Sequence, residues 1–230
     1  MDQFNVNEMF YSLQGEGSTN GKPSIFVRLY GCPLRCTWCD TKHAYDNKSE
    51  MKNITFSDIE DLSEASNCKN IVFTGGEPML QQKKIHKFIN LHSTVDWSFE
   101  IETAGVIMPD EAFLNHFHIN HNLKFNVSPK LSNSGVSSNK AIDFDIINAL
   151  AGQKKSSFKF VISSDNDVTE LQTLLDRTDI QDNQVWLMPE GVTKDDVLEK
   201  GEWLFNTAKH FGFNFTLRTH TILFGEQRGV

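Results

Sequence analysis

Short apolar runs alternate with amphipathic, helix-like segments along almost all of this 230-residue chain. The runs at residues 24–30 and 70–75 are typical of buried strands, and the segments at 79–91 and 193–211 are typical of helices. Strands that alternate with helices indicate a parallel sheet with helical crossovers. Because the units number six or seven, too few for a closed eight-stranded barrel, we expect an α/β fold: a partial, open β/α barrel with about six parallel strands.

The same pattern predicts further elements and places the polar residues that follow them. Additional strands are expected at residues 97–103, 124–130, 157–163, 185–190 and 214–220, a helix at 168–177, and a capping box formed by Ser57 and Glu60. In such folds the functional groups lie at the carboxyl ends of the strands. The chain has no internal repeat or linker, so residues 1–230 are expected to form a single domain.

Composition limits the classes of protein that the chain can belong to. The formal net charge of -8 argues against a general nucleic-acid binder. No run approaches the roughly 20 apolar residues of a membrane helix, and the first residues do not resemble a signal peptide. We therefore expect a cytoplasmic protein without nucleic-acid or membrane partners, whose thiols remain reduced.

Three of the four cysteines, Cys32, Cys36 and Cys39, form a C-x3-C-x2-C pattern. One interpretation is structural zinc, with His43 or Cys68 as the fourth ligand. The other is a 4Fe–4S cluster, in which three thiolates leave one iron free to bind a small molecule. The histidine-rich segment at residues 116–121 lacks the carboxylates that orient imidazole ligands and is interpreted as a loop or surface helix.

A second motif, "TGGEP" at residues 74–78, brings two glycines to the end of a predicted strand, where they let the backbone approach a ligand closely. Together the two motifs resemble the radical S-adenosylmethionine (SAM) superfamily. Residues 7–46, with "VFTGGEP", "EIETAG", "NVSPK" and "RTHTILFGEQRGV", closely resemble the 7-carboxy-7-deazaguanine synthase (QueE) family. The resemblance implies a lyase that contracts the ring of 6-carboxy-5,6,7,8-tetrahydropterin and releases ammonia, in queuosine biosynthesis.

The resemblance also implies cofactors and site residues. The cluster would be held by Cys32, Cys36 and Cys39, and Mg²⁺ by Thr41. The residues implied for SAM are Trp38, Cys39, Asp40, Gly76, Glu77, Ser128, Pro129, Lys130, Met188, Pro189, Glu190 and Gly191. Those implied for the pterin are Leu13, Gln14, Gly15, Glu16, Arg28, Thr74, His220 and Val230. No residue is assigned to proton transfer.

Several of these assignments leave alternatives open. Arg28 lies in an apolar strand and needs an anion, either the substrate carboxylate or a structural salt bridge. Glu102 and Thr103 either line the site or form a solvated strand end. Met188 stands where relatives often carry Gln, and "RTHT" at residues 218–221 differs from the "QTHK" of some relatives.

The resemblance further implies a homodimer and an electron donor such as flavodoxin or ferredoxin. Two other functions remain open at this point. One is a different radical SAM reaction, such as that of a glycyl-radical activase. The other is a zinc-stabilised binding module without catalytic activity.

Overall fold

The strands of the protein form one open sheet. The computed structural model describes residues 2–46, 50–92, 96–111, 113–114, 122–153 and 155–230, so the segment at 116–121 lies outside the described residues. The strands are β1 (Gln3–Leu13), β2 (Pro23–Leu29), β3 (Lys52–Thr55), β4 (Asn70–Gly75), β5 (Ser98–Thr103), β6 (Leu123–Val127), β7 (Ser157–Ile162), β8 (Val185–Pro189) and β9 (Asn214–Phe215).

Helices connect most of the parallel strands. They are α1 (Phe56–Ser66), α2 (Gln82–Leu91), α3 (Ser138–Ala141), α4 (Phe144–Ala151), α5 (Asp165–Leu175), α6 (Lys194–Phe211) and α7 (Thr219–Phe224). The strand order is β3-β1-β2-β4-β5-β6-β7-β8-β9. Every neighbouring pair from β2 to β9 is parallel, whereas β1 runs antiparallel to both β2 and β3. Since β3 and β9 lie at opposite edges, the sheet does not close, and the predicted open barrel is confirmed.

Two local predictions are wrong. The predicted last strand ends after Phe215, and α7 begins at Thr219. Here the Thr219 N–H donates to the Gly15 carbonyl (2.9 Å) instead of to a neighbouring strand. The capping box at α1 is formed by Thr55 and Asp58, whose side chains each accept the other's backbone N–H, rather than by Ser57 and Glu60.

The two faces of the sheet have different chemistry. On β5, Phe99 and Ile101 are buried in the hydrophobic core, whereas Glu100 and Glu102 project to the opposite, inner face, because side chains alternate along a strand. In the core, the ring of Phe88 on α2 contacts the rings of Phe4, Phe56, Phe73 and Phe99. One face of the sheet therefore packs on the apolar core, and the opposite, inner face carries the polar residues.

The connection between β1 and β2, residues 14–22, covers this inner face, and we call it the plug loop. Thr19 donates to Glu100 (2.8 Å) and Gln14 to Glu102 (3.0 Å). The Gly17 N–H donates to the Thr216 hydroxyl (2.8 Å) beyond β9. The plug loop thus links the β5 side of the sheet to its β9 edge. No helix among the described residues is long and apolar enough to span a membrane.

Candidate active site

A single cavity at the carboxyl ends of the parallel strands brings together nearly all of the predicted site residues. Of the residues predicted to bind the cluster, SAM, Mg²⁺ or the pterin, all except Glu77 and Pro129 line this cavity. The cavity is therefore formed by the cysteine loop after β2, the ends of β4 to β8, the plug loop, and residues 218, 220 and 230.

The cysteine loop is held in place by neighbouring backbone. The Thr37 N–H donates to the Ser134 carbonyl (2.9 Å), and the Gly31 N–H donates to the Ala44 carbonyl (2.8 Å). The Trp38 indole donates to the Asn133 side chain (3.3 Å). These bonds keep the three cysteines directed toward the cavity although the segment has no regular secondary structure.

The three thiols lie in an environment that opposes unpaired negative charge. The pKa of Cys32 is raised to about 11, chiefly by burial and also by the nearby Glu77, Cys36 and Cys39, which together outweigh a backbone hydrogen bond that lowers it. Burial also raises the pKa of Cys36, while Lys130 lowers it. Three neighbouring thiols can all be deprotonated only if cations lie beside them, and the irons of a cluster are such cations. The residues present therefore fit an iron–sulfur cluster.

Neither residue considered as the fourth ligand of a structural zinc site, His43 or Cys68, lines the cavity with the three cysteines. Among the described residues, no three His, Cys, Asp or Glu side chains converge closely enough to hold one metal ion. His43 does not line the cavity and its Nε2 lies 3.6 Å from Glu8. Cys68 is buried before β4, with its sulfur 3.8 Å from the Asn70 carbonyl oxygen. A 4Fe–4S cluster binds each thiolate to a different iron, so the three cysteines that line the cavity suffice to hold it.

Two glycines at the end of β4 allow close approach to the cysteine loop. A Cβ on Gly76 would lie 1.9 Å from the Gly31 carbonyl oxygen, and Gly75 has a φ of +118°. The Gly76 N–H donates to the Leu29 carbonyl (3.1 Å). The "GG" of the motif is thus explained by backbone packing, which places Gly76 on the cavity wall beside Cys32.

Glu77, one of the residues predicted to bind SAM, has its side chain bonded within the protein and does not line the cavity. This carboxylate is completely buried, and it accepts hydrogen bonds from the Thr103 hydroxyl (2.7 Å), the Ala104 N–H (2.8 Å) and the Met79 N–H (3.0 Å). Burial raises its pKa, against the lowering effect of these bonds. Glu77 joins the end of β4 to the end of β5. Pro129 is likewise buried away from the cavity.

The residues predicted to bind SAM include one cation, the half-buried Lys130. Lys130 donates to the Ser128 hydroxyl (2.9 Å) and its ammonium lies 5.3 Å from the centre of the Trp38 ring. Burial lowers the pKa of Lys130. Residues 188–191 also line the cavity, and Glu190 pairs with Lys200 of α6.

The predicted pterin side is organised around Glu102. Its two carboxylate oxygens accept from Gln14 (3.0 Å) and from the Thr74 hydroxyl (2.6 Å). Gly15 packs against His220, since a Cβ on Gly15 would lie 2.2 Å from the His220 Nδ1. Glu102 lines the cavity, as does Thr103. The alternative of a solvated strand end is therefore wrong for both.

Of the two anions considered as partners of Arg28, the protein itself supplies one, the carboxylate of Glu8. Its Nε donates to Glu8 (2.7 Å), which is a structural salt bridge, and its side chain also lines the cavity. Arg228 donates to Asn7 (2.9 Å) and to the second oxygen of Glu8 (3.0 Å), which holds Val230 at the cavity. Glu8 thus fixes two of the residues predicted to contact the pterin, Arg28 and Val230.

Thr41, the predicted Mg²⁺ ligand, lies at the cavity with its hydroxyl 3.6 Å from the Cys39 sulfur.

Sequence reasoning missed two basic residues of the cavity, Lys159 and Arg218. Both form ion pairs with Glu16, and Arg218 also pairs with Asp40. Burial raises the pKa of Glu16, but the charges of Lys159, Arg218 and His220 outweigh it and hold that pKa well below its ordinary range. Lys159 could have been predicted, because a lysine inside the apolar run of β7 needs an anion for the same reason that Arg28 does in β2.

Comparison with known proteins gives the family. Residues 26–124 match the model of the radical SAM superfamily. The 7-carboxy-7-deazaguanine synthase of Pyrobaculum aerophilum is 33% identical over 97% of this chain and 96% of its own length. The chain belongs to the 7-carboxy-7-deazaguanine synthase family. The family's member from Halobacterium salinarum is 30% identical over 96% of this chain and 90% of its own length.

Solved structures agree on the fold. QueE from Escherichia coli superposes with a TM-score of 0.72 at 24% identity, covering 96% of both chains. Streptococcus suis SuiB bound to S-adenosylmethionine gives a TM-score of 0.58 at 14% identity over 82% of this chain and 48% of SuiB. As a member of the 7-carboxy-7-deazaguanine synthase family, the chain is a radical SAM enzyme.

Proposed function

We propose that this enzyme converts 6-carboxy-5,6,7,8-tetrahydropterin to 7-carboxy-7-deazaguanine and ammonia, for queuosine or other 7-deazapurine biosynthesis. The observation that carries the proposal is the composition of one cavity. Two groups of contacting residues line it: Lys130 with Trp38 of the cysteine loop, and Gln14 and Thr74 with Glu102. A cofactor and a heterocycle can therefore be held against each other in one cavity.

The cluster would be held by Cys32, Cys36 and Cys39, and SAM by the backbone at Gly76 and by Ser128 and Lys130. When bound, the cluster supplies the electron that cleaves SAM to methionine and a 5′-deoxyadenosyl radical. The protein contributes position and shielding. The Lys130 ammonium suits a carboxylate, and the ring of Trp38 beneath it limits where that carboxylate can lie.

The pterin would be oriented by charge at one end and by hydrogen bonds at the other. Arg28 offers a guanidinium to the substrate carboxylate, and Glu8 fixes the direction of that guanidinium through its Nε. At the other end, Gln14 and Glu102 offer amide and carboxylate groups to the edge of the heterocycle. This arrangement would direct C6 of the pterin toward the radical, so catalysis here is mainly positioning.

We further propose Thr41 as a ligand of Mg²⁺. A single hydroxyl suffices because Mg²⁺ retains several waters and takes ligands from substrate. Thr41 shares the cavity with Arg28, so an ion there would lie within reach of the same substrate carboxylate.

The remaining partners follow from the chemistry. The cluster requires a one-electron donor, for which flavodoxin or ferredoxin is suitable, and the four free cysteines suit the reducing cytoplasm. We propose a homodimer, supported by the exposed apolar side chains of Leu198 and Phe205 on α6 and of Leu223 and Phe224 on α7. Light scattering on the purified protein at several concentrations tests this, and a monomer throughout would contradict it.

An anaerobic assay tests the function. Reconstituted enzyme is incubated with SAM, reductant, Mg²⁺ and 6-carboxytetrahydropterin, and products are measured by mass spectrometry. We expect 7-carboxy-7-deazaguanine from the wild type and none from Cys36→Ala, which loses one cluster ligand. If 5′-deoxyadenosine forms without the deazaguanine, the substrate is wrong, and another radical SAM reaction, such as that of an activase, becomes the better hypothesis.

A further inference from the structure

Arg218 contacts three separate segments of the cavity wall. Its Nε donates to Glu16 (3.0 Å), its Nη1 donates to the Gly191 carbonyl (2.7 Å), and its Nη2 donates to the Asp40 carboxylate. The side chain is only 10% exposed. Every nitrogen of the guanidinium is therefore used within the protein.

The three acceptors belong to different functional parts of the site. Glu16 lies in the plug loop, on the predicted pterin side. Gly191 follows β8, on the predicted SAM side, and Asp40 directly follows the cluster ligand Cys39. A planar guanidinium fixes the directions of all three bonds at once, which a lysine ammonium on a flexible stem does not. Arg218 is thus positioned to hold these segments at fixed distances from one another.

Other contacts would still hold the plug loop in place if Arg218 were replaced. Glu16 also pairs with Lys159, and the Gly17 N–H is bonded to Thr216. The plug loop therefore retains other bonds to the β7 and β9 side of the sheet. Among the contacts of the described residues, only Arg218 joins Glu16 to both Gly191 and Asp40.

We propose that Arg218 is a positioning residue that couples the pterin half of the cavity to its SAM and cluster half. This inference rests on the proposed function. When SAM orders Gly191 and the cysteine loop, Arg218 would transmit that order to Glu16, so that SAM and the pterin bind cooperatively. Such coupling is reciprocal and typically changes affinity by about 5-fold or more. Without it, SAM would be cleaved while the pterin is poorly placed.

The test measures binding as well as turnover. The dissociation constant of 6-carboxytetrahydropterin is measured by calorimetry with and without saturating SAM, on enzyme whose cluster is kept oxidised so that no turnover occurs. We expect SAM to tighten pterin binding by about 5-fold or more in the wild type, and by less than about 2-fold in Arg218→Lys. Under turnover, Arg218→Lys should release several-fold more 5′-deoxyadenosine per deazaguanine than the wild type does.

Matched variants separate coupling from folding. Arg177→Lys changes an exposed arginine that packs on Phe144, and should retain both wild-type values. If Arg218→Lys does not fold or load iron, Asp40→Asn removes one charged acceptor and leaves the arginine in place; it should also weaken the coupling.

The outcomes distinguish the inference from the function on which it rests. The inference is overturned if the wild type shows no effect of SAM on pterin affinity, or if the folded variant keeps the full effect and the same product ratio. If the wild type neither binds the pterin nor forms the deazaguanine, the proposed function itself fails.

Discussion

At the scale of single residues, Gly76 has the least room for a side chain. A Cβ there would lie 1.9 Å from the Gly31 carbonyl oxygen and 3.1 Å from the Cys32 Cβ. We expect Gly76→Ala to separate β4 from the cysteine loop, to lower the free energy of unfolding by about 1–3 kcal/mol, and to reduce the iron bound per chain. Urea denaturation and iron analysis measure both effects.

Gly152→Ala is the matched control for this substitution. A Cβ at Gly152 meets only carbonyl oxygens of α4 at 3.7 and 3.8 Å, which is ordinary contact. We expect the control to change stability by less than about 0.5 kcal/mol. If the two variants lose the same stability and bind the same iron, the packing explanation of the glycine motif is wrong.

Thr41 provides the residue-scale test of the metal. Thr41→Ala should lose the dependence of turnover on Mg²⁺ together with most of the activity, since it lacks the proposed hydroxyl ligand. Thr41→Ser keeps a hydroxyl and should retain the Mg²⁺ response. Steady-state assays across a magnesium titration measure this, with SAM cleavage and iron content recorded in parallel. An alanine variant that responds to Mg²⁺ as the wild type does would show that Thr41 is not the ligand.

The sequence predicted most of the cavity because its motifs follow strand ends. The cysteine loop and residues 128 and 130 occur directly after strands, and parallel strands bring their carboxyl ends together. The structural role of the Glu77 side chain could not be predicted, because its partners Thr103 and Ala104 lie at the end of β5 and come near Glu77 only when β4 and β5 pair. Arg218 was missed because it follows a strand that is shorter than its apolar pattern suggests.

At the scale of elements, the cap and the last strand show what local pattern cannot decide. Ser57 with Glu60 has the same spacing as Thr55 with Asp58, so local sequence does not choose between the two capping boxes. Phe56 is buried as the first residue of α1, and the helix therefore begins after Thr55 instead of after Ser57. Residues 216–220 have the composition of a strand, yet the bonding to β8 stops after the Thr216 N–H, which donates to the Leu187 carbonyl (3.0 Å), and the Thr219 N–H donates to the Gly15 carbonyl of the plug loop (2.9 Å). In both places, contacts from distant parts of the chain override local preference.

Helix α6 contains a glycine whose replacement should stabilise the protein. Gly201 lies in the middle of the helix, and a Cβ there would meet only the Leu217 Cδ2 at 3.4 Å. Because glycine is a poor helix former, Gly201→Ala should raise the free energy of unfolding by about 0.5–1 kcal/mol. Urea denaturation at neutral pH measures this, and turnover should be unchanged.

Gly212 at the end of α6 gives the opposite control. It adopts the left-handed conformation, with a φ of +75°, which disfavours any residue with a Cβ. Gly212→Ala should therefore lower stability by about 1 kcal/mol. Finding the same sign for both alanine variants would contradict this interpretation of the helix.

At the scale of the whole molecule, buried charges connect the plug loop to the far edge of the open sheet. Lys159, Arg218 and His220 lower the pKa of Glu16 below its ordinary value of 4.5, against the effect of burial. A carboxyl group with a lowered pKa in the folded state stabilises that state above pH 4.5, and the stabilisation is lost as the pH falls further.

Glu16→Gln should therefore be less stable than the wild type at pH 7, by about 3 kcal/mol, because Lys159 and Arg218 both lose a carboxylate partner. The difference should narrow as the pH falls below 4.5. Urea denaturation of both proteins at several pH values measures it, with Glu64→Gln on the exposed face of α1 as control. A difference that stays constant across this pH range would show that Glu16 acts through shape and not through charge.

We propose that one cavity holds SAM and the pterin so that C6 of the pterin faces the radical. An anaerobic assay with 6-carboxytetrahydropterin deuterated at C6, read by mass spectrometry of both products, tests this orientation. We expect 7-carboxy-7-deazaguanine together with 5′-deoxyadenosine that carries one deuterium. Deazaguanine formed alongside unlabelled 5′-deoxyadenosine would contradict the proposed orientation, and labelled or unlabelled 5′-deoxyadenosine without deazaguanine would contradict the proposed reaction.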